Sequence, residues 1–185
     1  MFSDLVTSRL IVRRLVLTDA PAIFHIRSQT AITMFQVWEP QNVDEVVAFI
    51  EKQTTLDVEE PDTWFQLAIT LKETGQLVGD CGLHSLKHDP HHSEIGISLA
   101  PDQQGKGYAT EALTAVLDYL FSSLGKHRVS ASTDPRNEPA IKLLRALGMR
   151  QEAHFRESFW FKGEWTDDLV FAILRSEWEA ARFTG

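Results

Sequence analysis

The stretch that most constrains the fold runs from Ser93 to Leu120. It opens with an extended segment, Ser93 to Leu99, and passes through Gln104-Gly105-Lys106-Gly107-Tyr108-Ala109. It then enters a segment in which Ala109, Ala112, Leu113, Val116, Leu117 and Leu120 recur at helical spacing. A strand, a glycine turn and a helix with a full apolar stripe require a sheet on which that stripe can be buried. Helix N-termini carry unpaired N–H groups and the positive end of the dipole, so a glycine loop at such a terminus attracts phosphates. A glycine-rich turn without a ligand has the same local pattern, and Gly-x-Gly alone does not separate the two.

The rest of the chain supplies the context. Arg9 to Leu17 reads as a strand. Thr18-Asp19 offers an N-cap for a helix over Asp19 to Ser28 with Ala22, Ile23 and Ile26 on one face. Thr33 to Gln41 is irregular and aromatic, either a loop over the core or a substrate-facing wall. Asn42 caps a helix over Val43 to Thr54, and Trp64 to Leu71 and Leu77 to Leu83 form a hairpin around Glu73-Thr74-Gly75-Gln76. Lys87 to His92 reads as a polar loop, and its three histidines as solvated rather than metal ligands. After the glycine helix, with Gly125 as its stop, come a strand over Arg128 to Ser132, a turn, a helix from Glu138 to Leu147, and a pair of strands, Gln151 to Trp160 and Thr166 to Leu174. A short helix over Ser176 to Arg182 closes the chain. The order predicts an α+β fold: a mixed, mostly antiparallel central sheet flanked by helices, in one domain over 1–185.

Charge and cysteine narrow the function classes. With 18 Lys and Arg against 26 Asp and Glu, net charge is −8, which argues against nucleic acid as partner and suits an amine-bearing one. No apolar run approaches the roughly 20 residues of a membrane span, and the N-terminus lacks a signal-peptide layout. The single cysteine, Cys81, sits in an apolar strand-like run and reads as a core residue of a cytoplasmic protein.

On these residues the chain resembles the GNAT superfamily of acetyl-CoA-dependent N-acetyltransferases. Gln104-x-x-Gly107-x-Ala109 is similar to its Gln/Arg-x-x-Gly-x-Gly/Ala signature. Thr7 to Arg13, Glu94-Ile95-Gly96, Asn137 followed by Leu143, Leu144 and Leu147-Gly148-Met149, and Gly163-Glu164-Trp165 with Asp167 resemble the RimJ/RimL-like branch of protein N-terminal acetyltransferases. The resemblance implies acetyl-CoA as co-substrate, no metal, and a monomer or homodimer. It implies an acceptor amine that is most readily a protein N-terminal α-amine of ribosomal-protein type. The alternatives are a small amine (a polyamine, an aminoglycoside or an amino acid) or a weakly catalytic acyl-CoA-binding sensor.

By the same resemblance, the backbone of Gln104, Gly105, Lys106, Gly107, Tyr108, Ala109 and Thr110 receives the CoA pyrophosphate, and Asn137 bonds the pantetheine arm while also capping its helix. A backbone N–H near Ser98 or Leu99 holds the thioester oxygen. Glu94 is the expected base. Where relatives carry Asn-x-x-Ser, this chain has Ala140, which cannot donate a proton. Tyr108 and Tyr119 read as structural, and a thiol with pKa near ~8.5 leaves readily, so the acid is water or is unnecessary. Phe35, Trp38, Phe155, Trp160 and Trp165 are candidate acceptor-site aromatics, with Phe35, Trp38 and Trp160 foremost, and Glu39 and Glu157 are candidate steering carboxylates.

Overall fold

The computed structural model describes residues 2–183. Met1 and residues 184–185, which the single-domain expectation included, lie outside them. Eight strands form one sheet in the order β1-β2-β3-β4-β5-β6-β8-β7. They are β1 (Leu5–Val6), β2 (Leu10–Arg14), β3 (Thr63–Leu71), β4 (Leu77–Leu86), β5 (Asp89–Leu99), β6 (Arg128–Thr133), β7 (Arg150–Phe161) and β8 (Glu164–Leu174). Neighbours are antiparallel except β5 and β6. The helices are α1 (Ala20–Arg27), α2 (Thr30–Thr33), α3 (Val43–Thr55), α4 (Tyr108–Asp118), α5 (Glu138–Ala146) and α6 (Arg175–Phe183).

The mixed α+β architecture follows the sequence expectation, with two additions and one correction. The strand β1 and the single-turn helix α2 are too short to show a period. The expected polar loop over Lys87 to His92 is instead a tight turn, and β5 begins at Asp89, so His91 and His92 lie on a strand. Contacts with the start of β6 carry these polar residues despite their poor strand propensity, His92 in register with Arg128 and the His91 carbonyl accepting from the His127 N–H at 2.8 Å.

Alternation along the strands gives the sheet two unlike faces. Leu83, Ile95, Val129 and Phe171 belong to one face and to the main core, which Ala112, Leu113, Val116 and Leu117 of α4 cover. Each such buried Leu or Val contributes roughly 1.5–3 kcal/mol relative to exposure. Cys81 is fully buried in this layer, and burial pushes its thiol well above the ordinary range, so it is inert packing. The opposite face is covered by α1 and α3 over β2 and β3, where Ile23, Val46 and Ile50 pack around Ala68. Further along, this second face carries polar side chains: His84 beside Glu94, Glu94 beside Ser130, and Ser132 two residues on, level with Val170 and next to Asp168.

Candidate active site

The parallel pairing of β5 with β6 covers only His92, Ser93 and Glu94 against Arg128, Val129 and Ser130. Beyond Glu94, β5 pairs with β4 alone, and beyond Ser130, β6 pairs with β8 alone. The sheet therefore splays where β5 leads into the glycine loop. A cleft of about 640 Å³ lies against β5 past this point. One wall is Ile97, Ser98 and Leu99 of β5, and the head is the loop and first turn of α4. The other sides are Asn137, Ala140 and Leu143 at α5, and Ile32, Phe35 and Gln36 at α2.

Gly105 and Gly107 both have positive φ, +73° and +79°, and Gly107 is the N-cap of α4. Only glycine takes this conformation without strain, and it leaves the first N–H groups of the helix open to the cleft. All the sequence-predicted cofactor residues line the cleft except Lys106. The Lys106 ammonium turns back to the Gln103 side-chain oxygen at 3.0 Å, and its carbonyl accepts from Arg9 at 2.9 Å. Gln104 donates to the Leu99 carbonyl at 3.1 Å and so ties the loop to the end of β5. Asn137 accepts from the Ala140 N–H at 3.3 Å as the cap of α5 while it faces the cleft.

The loop is braced from the N-terminal arm. Glu111, one turn into α4, accepts hydrogen bonds from the Thr7 hydroxyl at 2.6 Å, the Ser8 hydroxyl at 2.9 Å, and the Arg9 N–H at 2.8 Å and guanidinium at 2.6 Å. Burial alone would raise this carboxyl, but the bonds outweigh it and hold the pKa at about 2. A depressed carboxyl stabilises the fold above its ordinary pKa, and the contribution is lost as pH falls from about 4.5 through about 2. Glu111→Gln is expected to cost ~2 kcal/mol at neutral pH, because four donors lose a charged acceptor. Urea unfolding should show the gap between wild type and variant closing toward pH 2, and a gap independent of pH would refute this account.

Glu94 stands on the polar face at the residue where the splay begins. It does not line the cleft, and its Oε2 lies 2.9 Å from His84 Nδ1. The His84 ring stacks on Trp64 at 5.1 Å. Trp64 in turn lies across Gly82, where a Cβ would stand 2.7 Å from the indole. His92 shares the face with Glu94, and its Nε2 is 2.8 Å from the Ser130 hydroxyl. Burial and then the Arg128 charge hold the His92 pKa below the ordinary value. Reading Lys87 to His92 as a loop hid this residue.

A second cavity, of about 190 Å³, opens on the same face past the ends of β6 and β8. Asp134, Asp167 and Asp168 line it together with Phe35, Phe159 and Phe161. Phe35 lines both cavities, so one side chain separates them. The other expected aromatics stand elsewhere. Trp38 turns inward onto Phe49 at 4.4 Å and under the Arg27 guanidinium at 5.1 Å, where it completes the α1–α3 core. Trp160 is on the outside of the β7–β8 hairpin, edge-on to Trp165 at 5.3 Å. Phe155 and Trp165 are likewise exposed. Of the steering candidates, Glu39 is paired with Lys162 at 2.7 Å, and Glu157 sits in the irregular part of β7 at φ +46°. Asp168 and Phe159 escaped the sequence reading, although the even spacing of Asp168 from Val170 and Ala172 put it on the polar face.

Among the described residues no group of three or more His, Cys, Asp or Glu is arranged to hold a metal ion, and no helix is long and apolar enough to cross a membrane. A splayed sheet with an open helix N-terminus at its head and a carboxylate where the strands part makes a cleft suited to an elongated anionic ligand. Residues 9–150 match the family described as Acetyltransferase (GNAT) domain. The chain belongs to this family and is an N-acetyltransferase. It is 32% identical to the uncharacterized N-acetyltransferase p20 of Bacillus licheniformis, over 94% of this chain and 97% of that one. It is 29% identical to the spermidine N(1)-acetyltransferase of Escherichia coli K12, over 60% and 59% of the two chains. It is 32% identical to the [ribosomal protein uS5]-alanine N-acetyltransferase of the same strain, over 50% and 47%. A GNAT-family acetyltransferase from Bacillus anthracis superimposes with a TM-score of 0.85 at 26% identity, over 94% of this chain and 99% of that one. GNAT acetyltransferases use acetyl-CoA and an amine acceptor.

Proposed function

We propose that this chain transfers the acetyl group of acetyl-CoA to the N-terminal α-amine of a polypeptide. The observation that carries the reading is the meeting of the splay cleft and the acidic cavity at Phe35, on the face that bears Glu94. The cleft offers a partner to each part of a CoA: helix N–H groups at Gly107 for the pyrophosphate, and the edge of β5 left unpaired beyond Glu94 for the pantetheine, bound as an added strand. The amine enters from the other cavity as its ammonium, loses one proton to solvent, and as the neutral amine attacks the thioester carbonyl carbon. As the C–N bond forms, Glu94 takes the amine proton, directly or through water. The C–S bond then breaks and the thiolate leaves as CoA, protonated by water. The hydrogen bond to His84 fixes the Glu94 carboxylate in one orientation. Ala140 offers no proton, so no side chain of α5 acts as acid at that position.

The acceptor assignment rests on basicity and size. An α-amine, with pKa near ~8, is more often neutral than a lysine amine near ~10.4. The acidic cavity, at about 190 Å³, is smaller than the ~300–1,000 Å³ of whole-ligand pockets and suits one chain end. The resemblance to a spermidine acetyltransferase supports a small polyamine as the second reading.

The test is thiol release from acetyl-CoA with peptides beginning in alanine, serine or methionine, set against spermidine, aminoglycosides and free amino acids. Peptides should be fastest. Preference for spermidine would establish the second reading, and equal basal release with every amine would mark a sensing module. Failure of acetyl-CoA to bind in calorimetry would remove the shared premise. Glu94→Gln should lower kcat by ~100-fold or more while leaving acetyl-CoA affinity within about twofold. Full activity across pH in that variant would exclude Glu94 as base.

A further inference from the structure

We propose that Asp168 receives the ammonium group of the acceptor, so that the acidic cavity admits the acceptor's primary amine in its cationic form together with the small apolar group next to it. This rests on the reading of that cavity as the acceptor side of the site. Three carboxylates line it, and two have partners. Asp134 is held by the Arg136 guanidinium at 2.6 Å. Asp167 accepts from the Glu157 N–H at 2.8 Å and lies 2.6 Å from His154 Nε2. Asp168 forms no ion pair among the described residues and is met only by the Ser132 hydroxyl.

The surroundings of Asp168 suit a cation with a stem. Phe35, Phe159 and Phe161 wall the cavity, and the last two rings stack at 5.9 Å. Aromatic faces attract ammonium groups and exclude water from an alkyl stem. Burial pushes the Asp168 carboxyl above its ordinary range. The Ser132 hydrogen bond pulls it down, and the charges of Glu94 on β5 and Asp134 after β6 add to the rise. A half-buried carboxylate among like charges, with no cation of its own, is less favourable until a cation arrives. The charged groups around it are therefore Glu94, Asp134 with Arg136, and Asp167 with His154, and none of the cations among them is bonded to Asp168.

The experiment uses a probe that does not depend on the identity of the acceptor. The full chain, labelled with ¹⁵N, is titrated with n-butylammonium chloride and, separately, with n-butanol. Saturable shifts at the amides of Asp168, Phe159 and Phe161 are expected with the ammonium and not with the alcohol. Asp168→Asn, which retains an acceptor for the Ser132 hydroxyl, should weaken the ammonium at least ~10-fold. Thermal stability of the variant at pH 7 should rise, because an unpaired desolvated charge is removed, whereas loss of a structural hydrogen bond would lower it. Should the variant fail to fold, the wild type still reports: ammonium affinity falls with pH as the carboxyl is protonated. Equal response to butanol, equal affinity in Asp168→Asn, or pH-independent binding overturns the proposal. Acetyl-CoA calorimetry on the same sample separates failure of this inference from failure of the acetyl-transfer reading.

Discussion

Gly107→Glu should abolish acetyl-CoA binding, with affinity lower by about three orders of magnitude, while the fold persists. Two costs combine. Gly107 has φ +79°, and a residue with a side chain there carries ~1–2 kcal/mol of backbone strain. The new Cβ would stand 3.3 Å from Nη2 of Arg9, whose guanidinium is held to Glu111 through Nε, so that side-chain end must give by a few tenths of an ångström. The second cost is charge. A carboxylate at the N-cap of α4 occupies the positive end of the helix where phosphate would sit, and at ~5 Å with an effective dielectric near 20 each like-charge pair costs ~3 kcal/mol. The sum, ~4 kcal/mol or more, corresponds to roughly 1,000-fold. Gly105→Ala is the control. Gly105 also has positive φ, +73°, but its Cβ would meet nothing within 4 Å. It should lose only the strain term, about 10-fold. Isothermal calorimetry of wild type and both variants measures this order, and binding by Gly107→Glu within a few-fold of wild type would show that the loop does not carry the phosphates.

That loop was also the most legible part of the chain, for a physical reason. A helical period over Ala109 to Leu120 and two glycines at its mouth are local properties, and local properties survive in a sequence read without coordinates. The same holds for Asn42 and Asn137, which cap α3 and α5 as their neighbours suggest. What was hidden depends on strand register. His92 looked like part of a solvated loop because His, Pro and Asp disfavour strands, yet pairing with Arg128 of β6 extends β5 and puts it two residues from Glu94 on the same face. Asp168 is next to Asp167 in sequence, but the pleat turns one toward His154 and the other toward Ser132. Trp38 and Trp160 could be named as aromatics but not aimed: one completes a helix-to-helix core and the other lies outside a hairpin. Resemblance points to Glu94, and the register adds that β5 and β6 part at that residue.

The largest effect on stability is expected from a pair that sequence could not reveal. Asp80 on β4 and Arg27 on α1 form an ion pair in which the side chains are 1% and 8% exposed. Gln66 donates to the same Asp80 oxygen at 2.6 Å, and the Arg27 guanidinium lies over Trp38. Arg27 Nε and Asp80 Oδ1 have no hydrogen-bond partner among the described residues, so the pair is incompletely satisfied. A buried pair of this kind adds little over apolar packing, but loss of one member strands the other charge at ~3–5 kcal/mol. Asp80→Ala should therefore lower Tm by ~6–20 °C for a domain of this size. Arg27→Met with Asp80→Ala should recover much of that loss, because no charge is then left behind. The position gives the pair a second consequence. Asp80 pairs in register with Ser98 at the cleft, while α1 leads into α2 and the turn that carries Phe35. If the pair clamps that segment to the sheet, the double variant should regain stability yet retain a raised KM for the acceptor. A thermal scan with acceptor kinetics on the three proteins decides it: an Asp80→Ala shift below about 2 °C would mean that water reaches Arg27, and a normal KM in the double variant would mean that the apolar contacts of α1 alone position Phe35.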